Sequence, residues 1–274
     1  MKGIPGLEFD AYARGWVWPL LARGNLRKAV SYLVWPIHHE RYFEFAFALR
    51  SVPKRSVRCF DVSSPRIFSL FYARKNPKTQ ITVANPDLRD LAATRYLANV
   101  LRLRNIRTEP VGVEGLRKRT SSFDCIWSIS VIEHISGAYD DREAIRCMYE
   151  ALAPAGTLVL TFPVDRTFRE ESRAFDPYGT QLRSGERFFF QRYYDPDSIR
   201  SRLLAPIGYP EHTVEFFGET SPGTFAAYEA RSRHRGLECT VEDPREIADN
   251  YKGFMSWDEM PGAGFCGLVI TKAT

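Results

Sequence analysis

Residues 121–163 read SSFDCIWSISVIEHISGAYDDREAIRCMYEALAPAGTLVLTFP, and the fold is decided in this stretch. Ser121-Ser122 predicts a turn, and Phe123 to Val131 form a short, mostly apolar run that suits a strand. Glu133-His134 closes that run. Asp140 to Ala153 then carry Ala144, Met148, Ala151 and Leu152 at helical spacing, until Pro154-Ala155-Gly156 breaks the helix. Thr157 to Phe162 is a second β-rich run. Strand, polar loop, helix, turn and strand make one βαβ unit, and apolar runs without alternation suit a parallel sheet covered on both faces. In such sheets ligands bind beyond the carboxyl ends of the strands. Glu133-His134 falls at one such end and Pro163-Val164-Asp165 at the next.

FDCIWSISVIEHI followed by LAPAGTLVLTFP resembles the second half of the class I S-adenosylmethionine-dependent methyltransferases. In that family a fourth strand beginning Phe-Asp ends in Glu-His, and a Pro-Gly turn leads into the fifth. The resemblance implies an α/β fold: a seven-stranded, mostly parallel sheet with helices on both faces and the last strand antiparallel. It implies S-adenosylmethionine as cofactor and methyl transfer as the reaction, and it covers about two-thirds of the chain.

Length and composition set the frame. A chain of 274 residues fits one large domain with appendages. We expect an N-terminal helical arm over 1–55 and an α/β domain over 56–274, with an insertion at about 220–264. The net charge of +5 raises the question of nucleic acid. Its densest clusters, Arg102-Arg104-Arg107 and Arg117-Lys118-Arg119, read as a solvated helix face and a loop. Two methyltransferase patterns that act on nucleic-acid bases are also lacking, an Asn/Asp-Pro-Pro-Tyr-like tetrapeptide after the fourth strand and a nucleophilic Cys after a Pro. A small-molecule acceptor is therefore expected rather than nucleic acid. The five cysteines show no C-x-x-C pairing, which points to a reducing, cytoplasmic setting with no metal site. No stretch of 18 apolar residues occurs, so stable membrane insertion is not expected, while an oligomer is possible. Residues 1–24 are aromatic and irregular, with Tyr12, Trp16 and Trp18. They read as an arm covering the core rather than a membrane contact, for want of a basic amphipathic helix.

Taken in order, Asn25 caps a helix to Val34, and His39 to Leu49 forms another. By the resemblance this helix covers the cofactor crevice, which makes Arg41 and Glu44 candidates for its polar lining, while their spacing favours a surface i,i+3 ion pair. Ser56 to Val62 is the first strand and ends at Asp61. Where the family carries Asp/Glu-x-Gly-x-Gly, this chain has Asp61-Val62-Ser63-Ser64-Pro65, a strand-to-cap-to-helix turn without glycines. By the resemblance, Asp61, Ser63 and Ser64 are cofactor-binding candidates. Thr79 to Ala84 is the second strand, with Asn85 and Asp87 at the tip that in the family takes the ribose hydroxyls. A helix over Leu88 to Leu103 follows, then a third strand over Ile106 to Val113. Glu114 beyond it is the candidate for the adenine amino group.

Ser128 and Ser130 on the fourth strand complete the cofactor set. His134, with an ordinary pKa near ~6.5, is the candidate general base. Glu133, Tyr178, Arg192 and Tyr194 are candidates for the acceptor pocket, the last two from the aromatic run RFFFQRYYD that precedes a helix capped by Asp197 or Ser198. Thr213 to Phe217 and Cys266 to Thr271 are the last two strands, and Trp257, Met260 and Pro261 in the insertion could form a lid or an oligomer contact. The reading is a methyltransferase acting on a small-molecule or sugar-like acceptor, with an oxygen acceptor slightly ahead. The alternative is a catalytically inactive binding or scaffold protein of the same fold, with a degenerate cofactor loop. A third option is non-methyl chemistry on that fold.

Overall fold

The structure, a computed structural model, describes residues 4–34, 36–174, 187–234 and 244–274. Tyr178 and Cys239 fall outside them. One sheet dominates. Its strands are β1 (Arg58–Val62), β2 (Gln80–Ala84), β3 (Ile106–Glu109), β4 (Phe123–Ile129), β5 (Leu152–Val164), β8 (His212–Glu219), β9 (Tyr251–Phe254) and β10 (Gly264–Thr271), while β6 (Arg169–Arg173) and β7 (Phe188–Tyr193) form a separate hairpin. The order across the large sheet is β3-β2-β1-β4-β5-β10-β8-β9. The first five strands are mutually parallel, β10 runs antiparallel to both neighbours, and β9 is antiparallel to β8. The expected seven strands are thus present with an antiparallel last strand, and an eighth, β9, is added at the edge from the segment between β8 and β10.

Helices cover both faces. On one lie α1 (Leu7–Arg14), α4 (His39–Ser51) and α5 (Arg66–Lys75), which bury Phe9, Phe45 and Phe68 against Trp127 and Val159 of the sheet. The short α2 (Val17–Leu21) and α3 (Leu26–Val34) continue this layer, and α6 (Leu88–Val100) flanks it. On the other, α7 (Asp141–Ala151) buries Ala144, Ile145 and Met148 over Ile126, Leu158 and Leu160. A helical turn at Pro196–Ser198 (α8) with π-helical turns at Ile199–Leu204 completes this layer, and α9 (Thr224–His234) and α10 (Pro244–Asn250) come from the insertion. Among the described residues no helix is long and apolar enough to cross a membrane.

Several boundaries differ from expectation for local reasons. Within the stretch expected to be irregular, residues 4–24 form α1 and α2, burying Phe9, Trp16 and Leu20 while Trp18 faces outward. The third strand ends at Glu109, because Pro110 brings no N–H to a ladder, and Glu114 sits in a 3₁₀ turn at Val113–Leu116. The helix after the second strand stops at Val100, and Arg102 turns the chain with a φ of 57°. Asp195, not Asp197 or Ser198, caps the late helix through a capping box in which Ser198 is the reciprocal partner. Trp257 stacks edge-on to Phe216, and Met260 is buried.

Gly267 on β10 decides how close α4 comes, since a Cβ there would stand 2.6 Å from the Phe47 ring. That approach brings the polar residues of α4 over the carboxyl ends of β4 and β5.

Candidate functional site

The turn after β1 is built on Asp61. This carboxylate is fully buried, and its Oδ1 accepts the Ser64 amide at 2.8 Å. Its Oδ2 accepts the Ser69 hydroxyl, whose oxygen in turn accepts the Trp127 indole N–H at 3.1 Å. Burial pushes the Asp61 pKa up to about 6, against the pull of those donors. Asp61 therefore shapes the turn from behind. Ser63 takes a φ of 53°, the left-handed conformation that favours glycine, at the position of the first glycine of the family pattern. Its amide and hydroxyl both donate to the Ala84 carbonyl, at 2.8 and 3.0 Å, which ties the turn to the end of β2. The Ser64 hydroxyl accepts the Ile129 amide at 2.9 Å and ties it to β4. Pro65 then opens α5, whose N-terminus has no side-chain cap.

At the tip of β2, Asn85 accepts the Asp87 amide at 2.8 Å and donates to Asp90 at 3.0 Å. Asp87 caps α6 by accepting the Arg89 and Asp90 amides, at 2.8 and 3.3 Å. Asp90 also pairs with Arg66 at the start of α5. Both candidates lie at the crevice, with their side chains engaged in forming it. Glu114 is exposed on its 3₁₀ turn and accepts the Gly112 amide at 2.8 Å.

The tip of β4 meets α4. Glu44, expected on the surface, is fully buried: it accepts the Thr161 hydroxyl at 2.7 Å and the Ser130 hydroxyl, and pairs with Arg41. Burial raises its pKa, against the Arg41 cation and the two hydroxyls. Burial would also raise Glu40, but His39 and Arg41 outweigh it and hold Glu40 well below the carboxylate range. Glu133 is buried and pushed well above that range, and its Oε2 has no hydrogen-bond partner among the described residues. The Ser128 Oγ is buried in the same condition. His134 Nδ1 lies 2.7 Å from the Phe190 carbonyl, so the proton sits on Nδ1 and the lone pair on Nε2. Nε2 is 3.7 Å from Glu133 Oε1. Burial, with help from Arg41 and Arg173, lowers the His134 pKa to about 4, so the ring is neutral at pH 7.

Arg192 and Tyr194 have other engagements. Arg192 is buried, donating to the Ile135 carbonyl at 2.6 Å and to Glu170 at 3.1 Å. Tyr194 is wholly buried, its hydroxyl donating to Asp141 at 2.9 Å, and Arg202 clamps the same carboxylate at 2.6 and 2.8 Å. These contacts fasten the β6–β7 hairpin and α8 to α7, beneath the strand tips. Tyr178 lies outside the described residues.

The sequence offers Arg41 and Glu44 as crevice lining but favours a surface pair, and it does not reach Glu40, Thr161, Ser69, Arg66 or Asp90. An open pocket of about 350 Å³, lined by Phe43, Arg50, Phe217, Tyr251 and Lys252 among others, lies against β8 and β9 and contains none of these site residues.

No protein-family model and no curated protein matches this chain. Solved structures do. The [4+2]-cyclase SpnF is 19% identical, with 85% of this chain and 80% of that one covered at a TM-score of 0.51. Coclaurine N-methyltransferase bound to N-methylheliamine and SAH is 12% identical, covering 85% and 70% at 0.53. The Burkholderia thailandensis 1,6-didemethyltoxoflavin-N1-methyltransferase, with 1,6-didemethyltoxoflavin and S-adenosylhomocysteine bound, is 13% identical, covering 98% and 91% at 0.53. At such identities the likeness is one of fold. The chain has the α/β fold of the class I methyltransferases.

Proposed function

We propose that the protein is an S-adenosylmethionine-dependent methyltransferase acting on a small-molecule acceptor. The observation that carries this reading is a convergence. The turn from Asp61 to Pro65, the Asn85–Asp87 tip and the Ser128–His134 segment meet at the carboxyl ends of β1, β2 and β4, where the strand order reverses. Such a switch point is the ordinary ligand crevice of an open α/β sheet.

The residues suit the cofactor. The uncapped N-terminus of α5 offers amides and a positive dipole end to a carboxylate. Ser63, Ser64, Asn85, Asp87 and Glu114 border the region that would take the nucleoside. The Ser128 Oγ and Glu133 Oε2 are buried polar atoms beside this crevice with no hydrogen-bond partner among the described residues. S-adenosylmethionine brings a methyl group already activated on sulfonium sulfur, so positioning is the main task left to the chain. Ser130 and Thr161 hold Glu44, Glu44 holds Arg41, and the set fixes α4 over the tips of β4 and β5. His134, held through Nδ1 by the Phe190 carbonyl and neutral at pH 7, is the residue we assign to take a proton from the acceptor atom. With a pKa of about 4, well below neutral pH, it is a weak base, so its contribution falls towards the lower end of the roughly 10²- to 10⁴-fold typical of general bases.

The sequence favoured an oxygen acceptor. An amine is the second reading, since the solved structures that resemble this chain include N-methyltransferases. The test is incubation with methyl-labelled S-adenosylmethionine and matched panels of small amines and alcohols, scoring demethylated cofactor and methylated acceptor. Turnover of any panel member, reduced at least about tenfold in His134→Asn, supports the enzyme reading. Tight cofactor binding with no turnover on either panel would instead support the inactive binding protein, or non-methyl chemistry of the kind named for SpnF.

A further inference from the structure

The face formed by α2 and α3 stands apart from the catalytic reading. Leu26, Val30 and Leu33 recur at i, i+4 and i+7 on α3 and face outward, at 65, 45 and 49% exposure. Ala29 and Tyr32 turn the opposite side inward. Trp18 and Leu21 on α2 add to the outward stripe, with Trp18 75% exposed. Five of the ten most exposed large apolar side chains among the described residues therefore lie in one short helical hairpin. Scattered exposed apolar residues need no explanation, but a contiguous set with a protruding Trp does.

The charge around this stripe is one-sided. Residues 11–39 contain no Asp or Glu, whereas 33 acidic residues in 274 would place about three or four in a stretch of that length. Arg14 is neutralised by Asp10 at 2.7 Å. Arg23 and Arg27 are exposed, and Lys28 lies 4.4 Å over the Tyr96 ring at the flank of the hairpin. A Trp-bearing amphipathic hairpin flanked by uncompensated cations has the composition of an interfacial membrane element. A second copy of the chain is the poorer occupant, because a two-fold contact through this face would bring Arg23 and Arg27 against like charges.

We propose that the α2–α3 hairpin is a peripheral docking face for an anionic lipid surface, with Trp18, Leu21, Leu26, Val30 and Leu33 entering the headgroup boundary and Arg23, Arg27 and Lys28 meeting the lipid charge. The hairpin is anchored for this purpose. Asn25 donates to the Tyr96 hydroxyl at 3.2 Å, and Tyr32 meets Arg66 at the start of α5, so docking would hold the crevice near the lipid.

The test is co-sedimentation of the full chain with phosphatidylcholine vesicles with and without phosphatidylserine, at low and high salt. Binding should require phosphatidylserine and weaken strongly with salt. Arg27→Gln should lower partitioning about fivefold, and the combined Trp18→Ser, Leu26→Ser, Val30→Ser variant at least about tenfold. Met255→Ser, which alters an exposed apolar residue elsewhere, should change nothing. All five substituted positions are exposed, and circular dichroism of each variant checks that its fold is intact. Failure to sediment with phosphatidylserine vesicles at low salt would overturn the proposal. So would equal binding by the triple variant, or a wild-type dimer in equilibrium sedimentation that the triple variant disperses.

Discussion

Glu44 is where the account is most exposed to a stability measurement. Replacing it by Ala removes the acceptor for the Ser130 and Thr161 hydroxyls and the anion opposite Arg41. Arg41 would then keep Glu40, 3.4 Å away, as its ion-pair partner among the described residues, with Glu133 nearby and raised towards its neutral form. Stranding a buried charge costs about 3–5 kcal/mol, and each abandoned hydroxyl adds up to about 1 kcal/mol unless it rotates to another acceptor. Against a total stability of about 5–15 kcal/mol, Glu44→Ala should come close to unfolding the chain. Glu44→Gln keeps an oxygen for the hydroxyls and loses only the charge, so it should cost about half as much. Combining Glu44→Leu with Arg41→Met removes both charges, and the double variant should be more stable than the sum of the single losses by about 1–3 kcal/mol. Urea titration at neutral pH, monitored by far-ultraviolet circular dichroism, measures all of these. A loss below about 1 kcal/mol for Glu44→Ala, or strict additivity in the double variant, would refute the claim that this network holds α4 to the sheet.

Three further outcomes follow from the same geometry. Asp61 has a folded-state pKa of about 6 against an ordinary 3.8, so the folded chain binds its proton more tightly than the unfolded chain. The stabilisation is therefore present at acid pH and lost as pH rises between those values, by about 3 kcal/mol. Asp61→Asn should abolish that slope, and a wild-type-minus-variant difference that stays constant from about pH 4 to pH 7 would contradict it. At Ser63, glycine relieves left-handed strain of about 1 kcal/mol but forfeits the hydrogen bond to Ala84, so Ser63→Gly should be near neutral in thermal melts. Ser63→Val, branched at Cβ, should lose about 2 kcal/mol or more. Tyr194→Phe strands Asp141 of one donor and should lower stability by about 1–2 kcal/mol with the KM for acceptor unchanged. A changed KM with unchanged stability would return Tyr194 to the acceptor pocket.

The sheet was legible because its signals are local. FDCIWSIS and TLVLTF are buried on both faces, and the Pro154–Gly156 break lies between β4 and the regular part of β5, so strand, helix and strand could be read without knowing their neighbours. The eighth strand was not legible: Tyr251–Phe254 has no alternating pattern of its own and becomes a strand only by pairing with β8. Much of the crevice was legible as positions but not as roles. Asp61 and Asn85 sit at the strand tips as expected, yet their side chains are spent on shaping the turns, which no spacing rule reveals. The buried charge network was the main omission. Arg41 and Glu44 satisfy the i,i+3 rule for a surface pair equally well, and only the packing of α4 against Gly267 decides that they lie inside. At the glycine-free first turn, Ser63 itself takes the left-handed conformation, which the sequence does not reveal.

The central claim is that the crevice at the ends of β1, β2 and β4 binds S-adenosylmethionine. Calorimetric titration of S-adenosylmethionine and its demethylated product into the purified chain tests it directly, with Ser128→Ala alongside. Ser128 Oγ is buried without a partner among the described residues, so its removal should leave the unfolding midpoint unchanged or slightly raised. The account predicts micromolar binding of both ligands at one site, weakened several-fold in Ser128→Ala at unaltered stability. No binding at millimolar ligand, or binding indifferent to Ser128, would contradict the cofactor site assigned to this crevice.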